Sequence, residues 1–118
     1  NLGHTFGHAF EAINNFRISH GEAVNAGIIC SLLLAHESGL ITESALSKYL
    51  SLPLKIHNKS LFNEIDRQLF FIAVSKDKKN NNRKNRFVVP IGIGKTITDF
   101  KADNVLINRV LNRFLELT

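Results

Sequence analysis

Ser19-His20-Gly21-Glu22-Ala23-Val24-Asn25-Ala26-Gly27-Ile28-Ile29-Cys30-Ser31-Leu32-Leu33-Leu34-Ala35 decides the architecture of this chain. Ser19 followed three residues later by Glu22 is a capping-box pattern, in which each side chain accepts a hydrogen bond from the other residue's backbone N–H. The run from Ala23 to Ala35 is apolar almost all the way round a helix, so the helix it predicts is buried on most sides. Ser38-Gly39 ends that helix, because glycine enters a left-handed C-cap without strain. A helix enclosed in this way needs other elements packed around it.

The flanking segments supply them. Upstream, Leu2, Phe6, Ala9, Phe10 and Ile13 recur at helical spacing and predict a helix over 2–15. Gly3 and Gly7 each weaken that helix by roughly 1 kcal/mol relative to alanine, which points to a close approach on their face. Downstream, Thr42 caps a third helix through about Leu50, and Pro53 makes residues 51–59 a connector. Ser60 caps a fourth helix to about Ser75, with Leu61, Ile65, Leu69, Ile72 and Ala73 on the buried stripe. Residues 86–91 and 95–100 have strand composition, and Gly92-Ile93-Gly94 between them suits a tight reversal. Asp103 caps a last helix with Val105, Leu106, Val110, Leu111, Phe114 and Leu115 on its apolar face. The expected fold is mostly α: a helical bundle with one short β-hairpin, a single domain over residues 1–118.

Composition sets limits on function. The 118 residues are 44% apolar, enough for one packed core. A single cysteine excludes a disulfide scaffold and a cysteine-rich zinc module. No apolar run reaches the length of about eighteen residues that a membrane span needs, and no leader opens the chain. A lone thiol and no leader suit a reducing cytoplasm. The chain holds no methionine and begins inside a helical pattern, so a fragment of a longer protein is expected.

The net charge of +5 is local. Lys76, Lys78, Lys79, Arg83, Lys84 and Arg86 face Asp77 alone within residues 76–86, while acids and bases cancel over the rest. A nucleic-acid binder spreads positive charge along a face and interleaves aromatics for single strands; this patch does neither, so no nucleic-acid partner is expected. The patch reads either as a solvated loop or as a site for a small anion such as phosphate, in which Asp77 could orient Lys78 and Lys79. Gly92-Ile93-Gly94-Lys95 lacks the spacing of a phosphate loop and is a hairpin turn.

Three of the five histidines fall in the first twenty residues. His4 and His8, at i and i+4, share one helical face, and His20 opens the next helix. Imidazole is a common zinc ligand, and a catalytic zinc keeps three protein ligands and one open position. Spacing alone favours His4 and His8 as a chelating pair, and leaves polar helix-surface or hydrogen-bonded core histidines as the competing reading. His36 and His57 stand apart and read as structural or exposed. Cys30 sits among apolar neighbours and reads as a buried small side chain rather than a nucleophile.

Asn1-Leu2-Gly3-His4-Thr5-Phe6-Gly7-His8-Ala9-Phe10-Glu11, His20-Gly21-Glu22-Ala23-Val24 and Asp77-Lys78-Lys79, with Arg86-Phe87-Val88-Val89-Pro90 and Ile93-Gly94-Lys95 fitting more weakly, together resemble the 3-dehydroquinate synthases of the shikimate pathway. The resemblance implies a carbon–oxygen lyase that converts the keto-acid sugar phosphate DAHP to 3-dehydroquinate and phosphate, using NAD and a divalent metal, zinc or cobalt. It implies a two-domain protein, a homodimer, of which this chain is the helical metal- and substrate-binding C-terminal domain and lacks the N-terminal NAD-binding domain. By motif, His4 and His20 are metal ligands, with a third, acidic ligand from the missing part. His8 assists proton transfer, Asn1 contacts substrate, and Lys79 or Lys78 holds the phosphate. On this reading the chain alone is inactive. The alternatives are another sugar-phosphate cyclase of the same superfamily and a non-catalytic remnant or interaction domain.

Overall fold

The computed structural model describes residues 2–14, 17–76, 85–92 and 94–117. In chain order these form α1 (His4–Ile13), α2 (His20–Glu37), α3 (Glu43–Ile56), a 3-10 turn (Lys59–Phe62), α4 (Arg67–Ser75), β1 (Asn85–Gly92), β2 (Lys95–Ala102) and α5 (Asn104–Glu116). The expected bundle with one hairpin is what forms. No helix among the described residues is long and apolar enough to cross a membrane.

α2 is the central element. Ala23, Ala26, Ile29, Cys30 and the run Leu32 to Ala35 are all buried, and α1, α3, α5 and β1 pack around them. Its start is held by the capping box: the Ser19 hydroxyl accepts from the Glu22 amide at 3.1 Å, and the Ser19 amide donates to Glu22 Oε1 at 2.9 Å. Hydrogen bonding to the carboxylate, from the Ser19 backbone amide first and the Ser19 side chain second, holds the Glu22 carboxyl below its usual pKa. Its end is a Schellman turn, with Gly39 at φ 74°. There the Leu40 amide donates to the Ala35 carbonyl at 2.9 Å and the Gly39 amide to that of His36 at 3.0 Å.

Glycines set how closely α1 crosses α2. A Cβ on Gly27 would collide with the Gly3 carbonyl oxygen and lie 2.9 Å from the Gly7 amide nitrogen, and one on Gly3 would lie 2.7 Å from the Ile28 nitrogen. The close approach expected from Gly3 and Gly7 is therefore to the backbone of α2. Behind the crossing, six buried phenylalanines, Phe6, Phe10, Phe62, Phe70, Phe87 and Phe114, stack and tilt against one another at centroid distances of 4.6–6.2 Å. Pairs of this kind contribute about 0.5–1.5 kcal/mol beyond their area burial.

Four local expectations are corrected. α1 starts at His4 rather than Leu2 and ends at Ile13, with Asn14 as its C-cap. α3 runs through Pro53 to Ile56 rather than stopping near Leu50. Pro53 removes one donor, but its own carbonyl accepts from the His57 amide and from Asn25 Nδ2 on α2, each at 3.0 Å, so the last turn stays tied. The fourth helix does not begin at Ser60, whose hydroxyl donates to Asn58. It begins after Asp66, which caps the Leu69 amide. That start turns Phe70 and Val74 inward and leaves Leu69 and Ile72 each 48% exposed. On α5, the buried set is Ile107, Val110, Leu111 and Phe114, and Val105 lies outside at 64% exposure.

The hairpin pairs Gly92 with Lys95 and Phe87 with Phe100. Gly94 takes φ 68° in the turn. Between the Phe87–Phe100 and Val89–Ile97 pairs β2 carries one extra residue, a bulge in which Asp99 adopts φ 56°. The register buries Phe87 and Val89.

Candidate active-site face on the first helix

The opposite sides of α1 have different chemistry. Phe6, Gly7, Ala9 and Phe10 point into the core. His4, His8 and Glu11, at i, i+4 and i+7, share another face. His4 and Glu11 are half-buried there and His8 is exposed. The His4 and His8 rings stack with centroids 5.4 Å apart and 22° between their planes.

His20 joins this face from α2. It is the first residue after the Ser19 cap, so the capping box fixes its backbone. Its Nδ1 lies 3.1 Å from Glu11 Oε1. His4 and Glu11 are about 10 Å apart along the helix at 1.5 Å per residue. The face therefore carries His4, His8 and Glu11 in that order along α1, with His20 of α2 against Glu11. Among the described residues, no three His, Cys, Asp or Glu side chains converge tightly enough to hold a metal ion. Asn1, Lys78 and Lys79 lie outside the described residues.

The surroundings of His20 nonetheless suit a metal ligand. A ligating histidine characteristically gives its second ring nitrogen to a carboxylate, and His20 makes that bond to Glu11. Its ring is 69% exposed, which keeps Nε2 accessible.

The two remaining histidines are accounted for otherwise. Arg113 Nη1 donates to His36 Nδ1 at 2.9 Å, which puts the His36 proton on Nε2, 2.7 Å from Glu43 Oε2. Arg113 also bonds Glu37 at 2.8 Å, so this network ties α2, α3 and α5 together. His57 packs against Phe62 and Phe114 at 5.1 and 5.0 Å, and both its ring nitrogens are buried without a hydrogen-bond partner among the described residues. Burial first, and the Lys59 charge second, lower its pKa. Cys30 is fully buried, which pushes its thiol pKa well up and leaves it a packing residue. An apolar cavity of about 250 Å³ is lined by Leu2, Ile28, Leu32, Tyr49, Pro90 and Gly92. Among the described residues, its lining includes no histidine, acid or lysine.

Three residues matter more than sequence reasoning allowed. Glu11 was visible as a member of the His4 face by spacing, but its bond to His20 depends on the packing of two helices. Nothing in the residue pattern of α2 singles out Gly27 or Asn25. One admits α1 and the other holds the last turn of α3.

The chain is similar to known proteins in both sequence and fold. The chain is 33% identical over 111 residues to a 3-dehydroquinate synthase of Ruminiclostridium cellulolyticum, covering 94% of this chain and 31% of that relative. It is 37% identical over 101 residues to a 3-dehydroquinate synthase of Chlorobaculum tepidum, covering 80% and 27%. It thus spans about a third of such relatives' length. Among solved structures, it superimposes on a 2-deoxy-scyllo-inosose synthase complexed with carbaglucose-6-phosphate, NAD+ and Co2+ with a TM-score of 0.76 and 26% identity, covering 95% of this chain and 34% of that one. It also superimposes on the 2-epi-5-epi-valiolone synthase ValA of Streptomyces hygroscopicus subsp. jinggangensis 5008, with NAD+ and Zn2+ bound. Here the TM-score is 0.77 and the identity 25%, covering 98% and 32%. The family model described as 3-dehydroquinate synthase C-terminal matches residues 1–80, which include every histidine of this face on α1 and α2, and on that match the chain belongs to the 3-dehydroquinate synthase C-terminal family.

Proposed function

We propose that this chain is the helical, metal- and substrate-facing part of a 3-dehydroquinate synthase, a carbon–oxygen lyase that converts DAHP to 3-dehydroquinate and phosphate in aromatic amino acid biosynthesis. The observation that carries the reading is the group of His4, His8, Glu11 and His20 on one face of a domain of this family. NAD and a divalent metal, zinc or cobalt, are the cofactors. The NAD site and a third, acidic metal ligand come from the two-thirds of the relatives' length that this chain does not match. The working enzyme is a cytoplasmic homodimer.

His4 and His20 hold the metal, each through one imidazole nitrogen. A bound divalent metal polarises hydroxyl and carbonyl oxygens of a substrate. His8, exposed on the same face, passes a proton to or from the substrate, a task that positioned imidazoles perform more often than any other side chain. Lys79, or Lys78 beside it, presents a point charge to the phosphate that is first held and then leaves. Asn1 contacts the substrate.

A second reading, another sugar-phosphate cyclase, is favoured by the superposition on the inosose and valiolone synthases. The 33% and 37% identities to 3-dehydroquinate synthases, against 26% and 25% to those two, favour the first. Product identification decides. The longest natural protein containing this chain, supplied with DAHP, NAD and zinc, should release phosphate and form 3-dehydroquinate. No release from DAHP, with turnover of a different sugar phosphate, would overturn the assignment.

A further inference from the structure

We propose that Glu11 is a positioning residue that fixes the His20 ring with its proton on Nδ1, so that the Nε2 lone pair is the one offered to a metal. A carboxylate only accepts hydrogen bonds, so the 3.1 Å contact between Glu11 Oε1 and His20 Nδ1 places the proton on Nδ1. An isolated neutral imidazole prefers the opposite tautomer, with the proton on Nε2. Glu11 reverses that preference. His36 shows the contrast within the same chain: there Arg113 donates to Nδ1, and the proton sits on Nε2 facing Glu43. Both nitrogens of His36 are used up, whereas Glu11 leaves the outward edge of an exposed ring ready to ligate.

Position supports the assignment. Glu11 is half-buried on a helix locked against α2 by glycine contacts, and His20 follows a capping box. Neither backbone has freedom to wander, so the contact orients the ring at little further entropic cost. The proposal deepens the reading of His20 as a ligand and rests on it for its purpose, though not for its geometry.

The test is the nitrogen spectrum of His20 in the metal-free, 15N-labelled form of the longest natural protein containing this chain at pH 8, followed by titration with zinc alone. The native chain should show a protonated Nδ1 and a bare Nε2. Glu11→Gln, whose amide oxygen still accepts, should keep that pattern. Glu11→Ala should switch to a protonated Nε2 and bind zinc about 10- to 100-fold more weakly. A native His20 protonated on Nε2, or an identical pattern in the native and Glu11→Ala chains, overturns the proposal. Zinc affinity in His20→Ala separates the two readings: no change refutes His20 as a ligand, while the tautomer alone decides the part of Glu11.

Discussion

Gly27 on α2 lies so close to Gly3 at the head of α1 that a single added methyl group would strike the Gly3 carbonyl oxygen. The obstacle is backbone on both sides, so no side chain can rotate away. Gly27→Ala should push α1 off α2 and cost at least about 1–3 kcal/mol, the range for overpacked interiors. The measurement is the urea midpoint. An unchanged midpoint would show that the helices are not held at this distance.

The same displacement should reach chemistry. His4 and His8 ride on α1, and His20 starts α2, so Gly27→Ala should break the Glu11–His20 contact without touching either residue. The readout is the His20 ring tautomer, which should revert as in Glu11→Ala. Retention of the Nδ1 proton would uncouple the crossing from this face.

His57 should make stability pH-dependent. Burial, reinforced by Lys59, lowers its folded pKa below the ordinary value of 6.5. The unfolded chain therefore binds the proton more readily, and stability rises with pH. The contribution of His57 is complete above about 6.5 and is lost as pH falls from there through the lowered folded value. His57→Phe should flatten this part of the profile, as read from denaturation midpoints at pH 7.5 and 5.5. A wild-type-like slope in that variant would mean another group is responsible.

Arg113 joins three helices through His36 and Glu37, and its contact with Glu37 is partly buried. Arg113→Ala should cost about 1–3 kcal/mol, because it leaves partly desolvated acceptors unpaired. Thermal unfolding checks this. A melting temperature within error of the native chain would make the network ornamental.

What was legible in the sequence is what is encoded locally. Ser19 and Glu22, Gly39, Thr42 and Asp103 are caps, and a cap is read from a few adjacent residues. The errors have non-local causes. Leu69 and Ile72 looked buried until the start at Asp66 set the phase of α4 against Phe6 and Phe10. Pro53 looked like a stop, but packing and Asn25 carry α3 past it. In the candidate site, the histidines were legible as residue types at telling spacings. The link from Glu11 to His20 was not, because it joins residues nine apart across a helix boundary.

The central claim is that His4 and His20, not His8, hold the metal. The direct measurement is zinc occupancy, by elemental analysis after dialysis, of the longest natural protein containing this chain and of its His4→Ala, His8→Ala and His20→Ala variants. Zinc should fall away in the His4 and His20 variants, and the His8 variant should keep its zinc while losing most of its turnover. Full occupancy in His4→Ala or His20→Ala, or loss in His8→Ala alone, would contradict the assignment.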